Sequence, residues 1–213
     1  MRSLILLPAA IAAFALAGCS LADDGPRRTQ TRDVASFNRV ASDGAVDVRL
    51  RVGEKQRVQV RAGEKVIDDV ATEVRDGTLH VTFDHDGLGG NDVVVEASVR
   101  ELVGIDASGS GDIEADGIDA GAFVLRNDGS ADIVLTGSAA ALDVEVEGSG
   151  NADLADLRAR AATVKVRGSG DADVRADERL DVDVDGSGNV RYHGDPQLNQ
   201  LVDGSGDLSR AES

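Results

Sequence analysis

The chain is poor in the residues that most binding chemistries draw on. Of its 213 residues, one is cysteine, and the aromatics are four Phe and one Tyr with no Trp. A single thiol excludes an internal disulfide and any cysteine-built zinc site. The scarcity of rings removes the stacking platforms that single-stranded nucleic acid uses, and it weakens a case for sugar stacking. Positive charge is also lacking: 22 Lys and Arg face 39 Asp and Glu, a formal net charge of −17. Phosphate-rich partners need clustered cations, so nucleic acid and anionic headgroups are poor candidates. Glycine is plentiful by contrast, at 25 residues, and this announces frequent turns.

The one long apolar run lies at the start. Arg2 gives a short positive segment, and Leu4 to Leu16 is apolar, broken by Pro8. The run is too short for a retained spanning helix and reads as a secretory signal over residues 1–18. It ends in Leu16-Ala17-Gly18-Cys19, which resembles the lipobox of bacterial lipoproteins. That resemblance implies diacylglyceryl transfer to the Cys19 sulfur, cleavage before it and acylation of the new amine. Several acyl chains exceed the marginal affinity of one, so the protein would be tethered to a membrane without spanning it. An ordinary cleavage near Ala22 is the competing reading. Ser20 stands where an Asp would resemble an inner-membrane retention signal, which favours the outer membrane as destination. Residues 19–32 then read as the lipidated cysteine and a flexible polar linker.

The second half carries a repeat. Gly109-Ser110-Gly111-Asp112 returns as Gly129-Ser130-Ala131-Asp132, Gly148-Ser149-Gly150-Asn151, Gly168-Ser169-Gly170-Asp171, Gly186-Ser187-Gly188-Asn189 and Gly204-Ser205-Gly206-Asp207, at spacings of 20, 19, 20, 18 and 18. Apolar residues alternate with polar ones on both sides of each corner, as in Leu142, Val144, Val146 and then Ala152, Leu154. Period-two alternation around a fixed turn, recurring every 18–20 residues, specifies a solenoid whose coils bury nothing singly and a continuous core together. Six coils at ~4.8 Å would span roughly 29 Å. The fold class expected is all-β, a β-solenoid with its regular part over residues 101–210. Residues 33–100 alternate less regularly and read as starting coils that cap the first edge, with a helical turn or two within Val66 to Val74.

With its entry Phe37-Asn38-Arg39-Val40, its early glycine-bounded strands and its iterated corners, the chain resembles the head GIN domain of the auto-transporter adhesin family over residues 33–208. The resemblance implies a right-handed, single-stranded β-helix on bacterial surface or periplasmic proteins, frequently lipoproteins. It supplies no catalytic residue and no cofactor. Ala131 in place of a corner glycine, and Asn127 in an inward column where an amide needs partners, depart from the pattern.

Candidate sites are few. The residues after the corners form a column of Asp112, Asp132, Asn151, Asp171, Asn189 and Asp207. The column reads either as a row of cation sites or as turn chemistry, in which Asp and Asn side chains bond nearby backbone N–H groups. Turn chemistry is favoured, because Asn interrupts the acids and the calcium-binding nonapeptide pattern Gly-Gly-x-Gly-x-Asp is not met. Asp84, His85 and Asp86 read as a solvated loop and not a metal site. Lys165, Arg167 and Arg175 near Asp171 and Asp173 are the one place where acids and bases could converge for catalysis. The acidic outward positions Asp143, Glu145, Glu147, Asp181, Asp183 and Asp185 read as a solvated face, or as a dock for a cationic partner. Function is expected to be structural or adhesive, in a non-enzymatic envelope protein with a protein or glycan partner. Binding of an envelope polysaccharide or small ligand is the alternative, and a polysaccharide-active enzyme the weaker third. Gln200 and Arg210 spoil the last inward columns, so the C-terminal edge is a makeshift cap or a self-association surface.

Overall fold

The computed structural model describes residues 24–83 and 92–211. Alternation is converted into strands throughout, and the repeat winds into stacked parallel coils. Each coil runs up one sheet, turns at a Gly-Ser-Gly corner and runs down a second sheet facing the first. The sheet entering the corner is termed upstream and the one leaving it downstream. Strands β9 (Ile113–Asn127), β10 (Ile133–Val146), β11 (Ala152–Val166) and β12 (Ala172–Gly186) each begin in the downstream sheet, bend midway and finish in the upstream one. The bend falls where Gly117 and Gly137 take positive φ, and there the register slips.

Stacking is in register, so like residues lie over like. Leu125, Val144, Val164 and Val182 form one inward column and Ala115, Leu135, Leu154 and Val174 another, all buried. A column of branched aliphatics needs no ring to fill it, which accounts for a large core in a chain with so few aromatics. The corners require glycine for closeness. A Cβ at Gly148 would stand 1.9 Å from the Gly129 carbonyl oxygen, and one at Gly170 2.1 Å from that of Gly150. Coils can approach this tightly only without side chains, and the first-glycine carbonyl then accepts the next coil's serine N–H, as in Ser149 to Gly129 at 3.0 Å.

The N-terminal third departs from sequential stacking. Strand β2 (Arg39–Gly44) lies in the upstream sheet between β6 (Thr78–Phe83) and β8 (Gly104–Ala107). Strand β3 (Asp47–Val52) lies in the downstream sheet between β7 (Val94–Val99) and β9. The first coil of the sequence is therefore inserted beneath the regular repeat and above a coil formed later in the chain. Below that, β4 (Arg57–Gly63) pairs antiparallel with β7, and β5 (Val70–Arg75) antiparallel with β6. The helical expectation within Val66 to Val74 shrinks to a single 3-10 turn, Ile67–Asp69, followed by β5.

The linker expectation is corrected as well. Arg27–Arg32 is strand β1, paired antiparallel with β4 at the bottom of the stack. It escaped recognition because Arg28, Gln30 and Arg32 share the face of Ala62, Val60 and Val58. They lay long aliphatic stems over the end of the core while their polar heads bond Glu64, Asp68 and the carbonyl of Ile67. This end of the solenoid is closed. The other ends in β13 (Val190–His193), β14 (Gln197–Gly204) and β15 (Leu208–Arg210).

Candidate functional site

The corner column is a hydrogen-bonded ladder. Each side-chain oxygen accepts the backbone N–H of its counterpart one coil on: Asp112 from Asp132 at 3.1 Å, Asp132 from Asn151 at 3.2 Å, Asn151 from Asp171 at 3.1 Å, Asp171 from Asn189 at 2.7 Å and Asn189 from Asp207 at 3.1 Å. The amides of Asn151 and Asn189 donate a second bond, each 2.9 Å, to Asp132 and Asp171. An oxygen spent on the next coil's N–H serves stacking between coils, which differs from both readings of the column: the bonds run to the neighbouring coil and not within each turn. Among the described residues no cluster of His, Cys, Asp or Glu has the arrangement of a metal site.

The ladder begins one coil earlier than the repeat suggests. Asp112 N–H donates to Asp47 Oδ1 at 3.1 Å, and a Cβ at Gly109 would meet the Gly44 carbonyl oxygen at 2.0 Å. Gly44-Ala45-Val46-Asp47 is thus a seventh corner. It lacks the serine and the second glycine, so only the spacing of Gly44 and Asp47 could have revealed it. Three consecutive carboxylates, Asp47, Asp112 and Asp132, therefore stand in line without an intervening Asn.

The two departures from the repeat are partners. Asn127 is fully buried; its Nδ2 donates to the Ala131 carbonyl at 2.8 Å and its Oδ1 accepts the Gly129 N–H at 3.3 Å. At the last three corners the second glycine faces a valine one coil below: a Cβ at Gly170, Gly188 or Gly206 would come within 2.8–2.9 Å of Cγ1 of Val146, Val166 or Val184. Below Ala131 the equivalent residue is Ala107, and the missing γ-carbon leaves room for the methyl.

One column of the outward upstream face alternates in sign where the sequence suggested acid alone. Asp106, Arg126, Glu145, Lys165 and Asp183 lie in register from coil to coil, and the column ends on Leu201. Arg126 reaches Asp106 at 3.3 Å and Glu145 at 3.6 Å, while Arg167 holds Glu145 at 2.6 Å and Glu147 at 2.8 Å. Arg126 and Lys165 occupy the same position of the repeat as Glu145 and Asp183, so a scan for recurring acids passes over them. Two carboxyls respond oppositely. Asp128 is pushed up, first by desolvation and then by Glu147 and Glu145. Asp181 is held down, first by its hydrogen bond from Arg179.

The acids and bases singled out for catalysis do not converge. Lys165 stands on the upstream face, Arg167 is engaged by Glu145 and Glu147, and Arg175 Nε donates to the Ala155 carbonyl at 2.9 Å. Asp171 is in the ladder, and Asp173 faces Arg191 at 3.6 Å and His193 at 2.8 Å across the last downstream rungs. Asp153, Asp173 and Arg191 line a polar groove of about 350 Å³ beside the upper corners. Cys19 and the loop residues Asp84, His85 and Asp86 lie outside the described residues.

Solved structures share this architecture. A "putative adhesin" of Bacteroides fragilis superposes with a TM-score of 0.72 at 21% identity, covering 87% of this chain and 97% of the other. A second, from Parabacteroides distasonis, gives 0.55 at 20% identity over 88% and 98% of the two chains. No curated protein matches. The model of the family described as "Putative auto-transporter adhesin, head GIN domain" matches residues 36–196, from just before β2 to just before β14, and the chain belongs to that family.

Proposed function

We propose that the protein is a lipid-anchored, non-enzymatic component of the bacterial cell envelope that acts by presenting a rigid surface to a partner. The observation that carries this reading is the build of the outward faces: laddered sheets that hold side chains in register, with one upstream column, Asp106, Arg126, Glu145, Lys165 and Asp183, alternating in charge. A surface of this kind recognises an extended partner by matched charge and shape along its length. Membership of an adhesin-named family is in keeping with it. The anchor rests on Leu16-Ala17-Gly18-Cys19, and the outer membrane on Ser20. The groove by Asp153, Asp173 and Arg191 favours a glycan or small polar ligand as the second reading.

Fatty-acid labelling in a bacterial host tests the anchor. Wild type should incorporate label and sediment with membranes, and Cys19→Ser should do neither. Labelling that survives the substitution sinks the anchor. A glycan array probed with the protein separates the second reading from the first: no retained glycan leaves surface display standing, and a hit blocked by Asp173→Asn and Arg191→Ala moves function to the groove.

A further inference from the structure

The two ends of the solenoid are finished differently. At the bottom, β1 lays three side chains over the core end. At the top, inward Leu198 and Val202 continue the columns of Leu180 and Val184, yet they are 37% and 39% exposed where those below are 0%. Leu201, outward and 64% exposed, replaces the charge its column would carry next. Every residue of β14 is exposed, and among the described residues the strand pairs only with β12. Solenoids need a polar terminal cap, and edge strands are usually blunted by charge. β14 has no cap and a single charge, Asp203, near its end: Gln197 to Val202 is uncharged, in a chain whose net charge is −17.

From this edge we infer that two copies of the chain join end to end through β14, antiparallel about Gln200. The edge is self-complementary around that residue. In such a pairing Leu198 faces the second copy's Val202, Val202 faces its Leu198, and Gln200 faces Gln200. Both apolar pairs run the inward columns from one core into the other. The amide that spoils an otherwise aliphatic column meets its own counterpart, where carbonyl and NH2 bond reciprocally. Asp203 comes opposite Gln197, so no like charges face each other directly. A two-fold contact consumes both edges and closes at the dimer, whereas head-to-tail stacking would lay this apolar edge on the Arg-rich β1 end and grow fibres. Because each copy is strongly acidic, added salt strengthens the association by screening.

Cysteine crosslinking in the full chain tests the register. Gln200→Cys, oxidised mildly, should give a covalent dimer on a non-reducing gel, since the two-fold places that position beside itself. Leu198→Cys and Val202→Cys should stay monomeric, each being about 13 Å from its own counterpart at the strand rise, and the parent chain sets the background from Cys19. Sedimentation should show a dimer whose dissociation constant falls at least several-fold between low and moderate salt, and Leu201→Lys with Leu198→Lys should leave a folded monomer by circular dichroism. A parent chain that stays monomeric at high concentration overturns the proposal. So do equal crosslinking at all three positions, and growth beyond a dimer.

Discussion

At the residue scale, the corner ladder sets hydrogen bonding against charge. Asp112 has carboxylate neighbours on both sides, Asp47 below and Asp132 above. At ~5 Å each such pair repels by about 0.8 kcal/mol even at the dielectric of water, less in salt. Asparagine keeps the acceptor for the next N–H and adds the donor that Asn151 and Asn189 use. Asp112→Asn should therefore raise the melting temperature by about 2–4 °C, with the gain shrinking as salt is added; a lower melting temperature would sink the repulsion argument. Asp128 gives a pH-dependent counterpart. Its folded pKa is raised, so the native state binds that proton more tightly than the unfolded chain does. The charge then costs stability at neutral pH, and the cost is relieved as pH falls through the raised value. Asp128→Asn should be the more stable protein at neutral pH and lose its advantage on acidification, as followed by thermal melts. Asp181 runs the other way: its contribution is present above the ordinary aspartate pKa and lost as pH falls through the lowered folded value. The column itself was legible, because six corners share Gly and Asp or Asn at fixed offsets. Asp47 was not, since one glycine and one acid three residues apart occur everywhere.

Strands rank by how plainly their two faces differ. β9 to β12 could be read directly, each having an aliphatic inner face and a polar outer one. β1 could not, because its inner face is Arg28, Gln30 and Arg32. A strand that closes a core reverses the usual polarity. The alternation with Thr29 and Thr31 was the remaining signal, and β-branched threonine suits a strand. The corner packing yields a paired test at this level. Ala107→Val restores the residue found in other coils, but it drives a γ-carbon against the Ala131 methyl and should cost about 1–3 kcal/mol. Adding Ala131→Gly should recover most of the loss. Denaturant melts of both single variants and the double close the cycle; strictly additive effects would mean that the two positions do not touch.

For the whole molecule, the stacking order was beyond reach of the sequence, since nothing local states that β2 and β3 slot between strands that come later. This order joins the irregular third to the repeat. Ile105 in β8 lies on Val40 of β2, and Ala115 of β9 on Leu50 of β3, all buried. Residues 101–211 expressed alone would expose that floor, so the fragment should aggregate or lack a cooperative melt while the full chain melts as one unit. A soluble, cooperatively melting fragment would show the repeat to be self-sufficient.

The inserted coil also bears on how the chain can reach its shape. As the chain lengthens from its amino end, β1, β2 and β3 come first and find none of the strands they finally lie against. Winding turn upon turn from the start is therefore closed to this protein. A seed must gather from segments 39 and then 65 residues apart, β2 with β6 and then β8, and loop closure of that length is slow compared with adding the next coil. Until about half the chain is available, the first strands stay exposed and in need of a chaperone's shelter; afterwards the rest can assemble in the order it arrives.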